Sequence, residues 1–170
     1  MARLSVPYSH QNIPPFMLTA ATPRLLVLLF AQQAVAAGFA DCPQFFAGQP
    51  PRITGFAQQR EICFSEFAVL HSGETKTPIY VAQRLNAQAL ADGQDLKRGN
   101  RFYPEPRLPQ AERATREDYK GSGWARGHMA PAGDMGTPEG KAQSFSLANS
   151  APQDASHNSG AWSKIEQDTR

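Results

Sequence analysis

The densest chemistry in this sequence lies in residues 124–135, Trp-Ala-Arg-Gly-His-Met-Ala-Pro-Ala-Gly-Asp-Met. A guanidinium and an imidazole, Arg126 and His128, sit two positions apart, and Gly127, Pro131 and Gly133 fix the backbone around them. Such a segment suits presenting these groups more than burying them. A histidine titrates near neutrality and can serve as a general base, an effect of about 10²–10⁴ in rate. A guanidinium offers a fixed donor fork for phosphate. Arg-Gly-His alone is weak evidence, because a lone histidine is more often a surface or hydrogen-bonded core residue than a catalyst. Partners lie downstream: Asn149, Asn158 and Glu166 add two amides and a carboxylate.

These groups need elements to position them. Residues 62–70 and 79–85 are rich in β-formers, and the polar, turn-prone residues 71–78 between them predict a β-hairpin with a long loop that contains His71. Residues 86–123 are mostly polar and irregular, with Pro104, Pro106 and Pro109 keeping helices short. Residues 144–149 alternate polar and apolar, which predicts a short strand with Phe145, Leu147 and Asn149 on one face. Residues 150–153 read as a turn, and Asp154 as the cap of a helix on which Asn158, Trp162 and Glu166 form one row at i, i+4 and i+8. Trp124 and Trp162 read as packing residues, His157 as an exposed helix-start histidine, and Asp134 as a loop stabiliser.

With 170 residues, 41% apolar and 19% charged, the chain reads as one globular domain and not as a disordered, collagen-like, coiled-coil or polytopic membrane protein. Of its seventeen basic residues, Arg3 and Arg24 lie in the first forty, which hold no acid; the remaining fifteen equal the fifteen acidic residues. The apolar run 25–31 is too short to span a bilayer, which takes about 20 residues, and it resembles the middle of a signal peptide more than a core helix. Met17 would then be the natural start, Arg24 the positive region, and Gly38 and Ala40 the cleavage site. This leaves 1–16 as an upstream extension, 17–40 as a signal peptide and 41–170 as the mature domain. The expected location is periplasmic or secreted, with no stable membrane association after cleavage. Cys42 and Cys63 would pair in an oxidising compartment, the alternative being two buried free thiols, and they make a poor zinc site without nearby histidines. Residues 97–126 hold eight basic and four acidic residues with four aromatics interleaved, a stretch able to contact a nucleic-acid backbone.

Residues 125–134 resemble the Asp-Arg-Gly-His-x-Ala-Pro signature of the DNA/RNA non-specific endonucleases, the ββα-metal or His-Me finger nucleases that include endonuclease G and secreted bacterial enzymes. Residues 145–153, followed by Asn158-Ser159-Gly160-Ala161-Trp162 and Glu166, resemble that family's metal-site strand and helix, with order and spacing kept. The resemblance implies an α+β fold, an antiparallel central sheet flanked by helices. It implies hydrolysis of phosphodiester bonds in DNA and RNA without sequence preference. By position, His128 matches the general base and Asn158 the metal ligand. Glu166 matches the carboxylate that holds metal-bound water, Asn149 an active-site asparagine, and Arg126 the arginine beside the base. An upstream phosphate-contacting arginine would be Arg98 or Arg101. Mg²⁺, before Mn²⁺, is the implied cofactor. A hard ion that keeps most of its waters can be held by a single amide oxygen plus substrate phosphate.

Two departures accompany the resemblance. The family's usual Asp before Arg-Gly-His is Ala125 here. The resemblance also implies further strands and helices after Arg170 that complete the sheet, so a C-terminally truncated domain is expected. The competing readings are a catalytically impaired nucleic-acid-binding fragment of such a nuclease and a secreted disulfide-containing module with unrelated protein partners.

Overall fold

The computed structural model describes residues 38–170. The expected extension 1–16 and nearly all of the expected signal segment 17–40 lie outside the described residues.

The first sheet is an antiparallel meander of β1 (Gln59–Cys63), β2 (Phe67–Ser72) and β3 (Thr77–Gln83), in that order. Residues 62–70 are therefore not one strand of a hairpin. The chain reverses at 64–66, where the Phe64 N–H donates to the Phe67 carbonyl at 2.8 Å. The two strands lie on either side of that tight turn. Every residue of the central strand β2 is buried. Phe67 and Val69 join a cluster with Ile62, Phe64, Leu108, Met135 and Ala148, whereas Ala68 and Leu70 point to the opposite face and pack with Phe39 and Cys42. A strand covered on both faces reads as a continuous apolar run, and this hides its boundaries in the sequence. His71 lies within β2 and not in a loop. Its Nε2 is 2.9 Å from the Glu112 carbonyl, and burial pushes its pKa down.

Phe39 is 3% exposed, and its N–H donates to Glu61 Oε2 at 2.7 Å. Among the described residues the packed core thus includes Phe39, two residues before the boundary expected at 41. A disulfide between Cys42 and Cys63, with Cα atoms 5.9 Å apart, fastens this segment to the end of β1.

The second sheet pairs β4 (Ala125–His128) with β5 (Ser150–Gln153) antiparallel, Ala125 opposite Gln153 and His128 opposite Ser150. The pairing strand therefore occupies residues read as a turn, while Leu147–Asn149 forms a 3-10 turn. The alternation at 144–149 misleads because its polar members are buried partners. Ser146 Oγ donates to the buried Glu105 carboxylate at 2.9 Å and caps the 3-10 turn by accepting from the Ala148 N–H. Burial alone would push the Glu105 pKa up. Hydrogen bonds and charge from Arg107, with the Ser146 bond, outweigh this and hold it below the usual carboxylate range.

Short helices α1 (Ala87–Gly93), α2 (Arg116–Tyr119) and α3 (Pro138–Gln143) fill the connections, giving the α+β architecture expected. The last helix comprises α4 (Ala155–His157), a π-helical turn over Asn158–Trp162, and α5 (Ser163–Thr169). Asp154 caps it as expected, its Oδ1 accepting from the N–H groups of Ser156 and His157 at 2.9 and 3.0 Å.

Candidate active site

Residues two apart on a strand share a face. β4 uses that rule to carry Arg126 and His128 into one cleft of about 830 Å³, which Arg98, Asn158 and Glu166 also line. Gly127, between the two, faces β5, where any Cβ would overlap the Gln153 side chain. The glycine leaves room for the Gln153 side chain to lie across β4 at this point.

His128 is only 6% exposed. Its ring meets Phe145 edge-on, with centroids 4.9 Å apart, and lies 5.2 Å from the ring of Phe102. Burial, helped by the charge of Arg98, lowers its pKa to about 4. The imidazole is thus neutral at pH 7, the form that can accept a proton. Its Nε2 is buried and has no hydrogen-bond partner.

The Arg126 guanidinium lies over Phe102, 4.5 Å from its ring centroid. Among the described residues no carboxylate forms a salt bridge with it. With Ala125 in place of an acid, the arginine is posed by an aromatic face and keeps its donors free. Of the two upstream arginines, Arg98 lines the cleft and Arg101 does not.

Asn149 is fully buried and does not line the cleft. Its Nδ2 donates to the carbonyls of Ala130 and Ser144, both at 2.9 Å, and its Oδ1 accepts from the Ala130 N–H at 2.8 Å. These bonds tie Asn149, the asparagine that the resemblance assigns to the active site, to the chain leaving His128. Asp134 takes the expected loop role, accepting from Gln83 Nε2 at 2.7 Å, with Arg170 Nε 3.6 Å away.

The expected row Asn158, Trp162, Glu166 does not form. The π turn holds one extra residue, so Ser163 lines the cleft with Asn158 and Glu166, while Trp162 does not line it and lies beside the Glu166 carboxyl. A π turn repeats at i+5, which is the step from Asn158 to Ser163. Burial pushes the Glu166 carboxyl up, with Arg170 opposing. Trp124 is not a packing residue either, being 55% exposed on the cleft's rim.

Among the described residues no group of three or more His, Cys, Asp or Glu side chains could cage a metal. Oxygen-bearing residues of the last helix that line the cleft, Asn158, Glu166, Ser159 and Ser163, offer hard donors, and Glu117 and Tyr119 line it from α2. They suit a divalent ion that keeps most of its own waters, and not a transition metal that wants imidazole or thiolate.

The sequence profile that describes DNA/RNA non-specific endonucleases matches residues 50–170. The mitochondrial nuclease EXOG of Homo sapiens is 37% identical over 105 residues, 61% of this chain and 28% of that protein. The mitochondrial endonuclease G of Bos taurus is 30% identical over 158 residues, 88% of this chain and 52% of that protein. A crystal structure of the EndoG/EndoGI complex, concerned with EndoG inhibition, superposes with a TM-score of 0.57 at 26% identity and covers 68% of this chain and 48% of that one. The chain thus spans between about a quarter and about half of the relatives it matches.

Proposed function

This chain belongs to the DNA/RNA non-specific endonuclease family, and from that premise we propose that it hydrolyses phosphodiester bonds in DNA and RNA, with His128 as general base and a divalent ion, Mg²⁺ before Mn²⁺, held at Asn158. The observation that carries this reading is the convergence of a neutral buried imidazole, two arginines, an amide and a carboxylate on one cleft.

Arg98 and Arg126 bind and orient the phosphate. Their charge draws a polyanion into a cleft that the two phenylalanines keep partly dry. His128 accepts a proton from the attacking water, and its low proton affinity keeps it unprotonated until then. Glu166 holds water against Asn158 by accepting hydrogen bonds. A bound hard cation supplies Lewis-acid stabilisation of charge on the phosphoryl and leaving oxygens. With contacts to phosphate and not to base edges, little sequence preference is expected. The Cys42–Cys63 disulfide supports an oxidising compartment, and with the acid-free leader it supports export to the periplasm or beyond.

The test is nicking of supercoiled plasmid by the purified chain with Mg²⁺, with Mn²⁺ and with EDTA, alongside His128→Ala. Cleavage should need the metal and fall by roughly 10²–10⁴ in the variant. A folded His128→Ala protein that cuts as fast as its parent would remove the base from the proposal. Salt-dependent binding without metal-dependent nicking would instead mark a nucleic-acid-binding form that does not turn over.

A further inference from the structure

Trp124 has no part in the chemistry assigned to the cleft, yet more than half of its large apolar surface faces water, 55% exposed. It stands between two hollows and lines both: the cleft that holds His128, and a neighbour of about 230 Å³ that also takes in Lys76 and Pro152. The backbone that carries the indole is fixed by its loop. Gly121 and Gly123 take left-handed backbone angles, φ 72° and 83°, on either side of Ser122. The Ser122 hydroxyl donates to the Tyr119 carbonyl at 2.9 Å and accepts from the Trp124 N–H at 3.1 Å. The cleft that shares this tryptophan is lined by Arg116, Lys120 and Arg126, none of which forms a salt bridge among the described residues.

An exposed aromatic on a fixed backbone, beside three cations that outnumber the one carboxylate near them, Glu117, is a combination that holds single-stranded nucleic acid: the cations follow the backbone and a base stacks on the ring. We propose that Trp124 is a stacking platform for an unpaired nucleobase next to the scissile phosphate, which gives the cleft a preference for single-stranded over base-paired substrate. In a duplex both faces of each base are already covered by neighbouring bases, so the indole has nothing to stack on. This rests on the nuclease reading and adds a specificity determinant to it.

The experiment measures KM and kcat for the parent, Trp124→Ala and Trp124→Phe on three substrates: a short single strand, the same strand in a duplex, and an abasic strand of equal length. Trp124→Ala should raise KM for the single strand roughly 5- to 100-fold, with kcat within about twofold. KM for the duplex and the abasic strand should barely move, and Trp124→Phe should recover most of the loss. Equal effects on all three substrates, or no effect on any, overturn the proposal. In parallel, fluorescence anisotropy in EDTA compares binding of the labelled single and abasic strands. A base-dependent binding loss in Trp124→Ala without any turnover in the parent would sustain the platform and sink the nuclease reading. Intact turnover with a base-indifferent variant would do the reverse, and absence of both binding and turnover would overturn both.

Discussion

Asn149 and Ala130 exchange two hydrogen bonds across nineteen residues of chain, one carboxamide meeting both backbone groups of a single residue. Ala130 lies two positions after His128, so this clasp sets where β4 ends and where the imidazole stands. Asn149→Ala would leave buried backbone groups unpartnered, at a cost of about 1–3 kcal/mol in urea unfolding. Asn149→Asp should do no better, because a carboxylate cannot donate to the Ala130 and Ser144 carbonyls. Cleavage should weaken in both variants through kcat. An Asn149→Ala protein of parental stability would show that the clasp holds nothing.

The lowered pKa of His128 gives a pH signature with a definite sign. The unfolded histidine protonates near 6.5 and the folded one near 4. Between those values the unfolded chain binds more protons, so stability is lost as pH falls from about 6.5 to about 4, on the order of 3 kcal/mol. His71, also shifted down by burial, contributes with the same sign. The difference in slope between the parent and His128→Phe isolates His128. Parallel stability curves over pH 4–7 would contradict its buried, neutral state.

Gly127→Ala should be costly for a reason local to one contact, since the added methyl overlaps the Gln153 side chain on β5. Loss of stability and of cleavage is expected. Adding Gln153→Ala to the same protein should restore much of both, because the obstruction is a side chain and not the strand itself. A double variant no better than Gly127→Ala would place the need for glycine in the backbone conformation.

The Cys42–Cys63 cross-link closes a loop of sequence separation 21. Its reduction should lower stability by about 3 kcal/mol in the chain-entropy picture. Phe39 packs beside it, and Phe39→Ala should cost about 3–5 kcal/mol. A processed chain that keeps its stability must therefore retain Phe39, which intact-mass measurement of any processed form reads directly. A mature form starting at Asp41 with undiminished stability would contradict the packing of this residue.

The site was legible mainly through the resemblance, because Arg-Gly-His by itself is weak evidence. That resemblance assigns roles to His128, Arg126, Asn158 and Glu166, and all four line one cleft. Period and burial were harder to read. Phe67, Ala68, Val69 and Leu70 carry no alternation because β2 is covered on both faces, so the turn before them merged into one long strand. Ser144 and Ser146 mimic the solvent face of a strand while serving as buried hydrogen-bonding groups. The extra residue in the π turn has no sequence signal in the i+4 pattern, and it exchanged Ser163 for Trp162 in the cleft. The resemblance assigns Asn149 to the active site, and a buried clasp and a catalytic amide look alike in a bare sequence.

Phe102 is shared property. One of its neighbours is the cation suited to grip the phosphate and another is the ring suited to take the proton. Any drift of this phenylalanine moves both, so grip and proton transfer cannot be tuned separately by substitutions beneath it. Natural variation at this position should therefore be sparse and accompanied by compensating changes at Arg126 or Phe145.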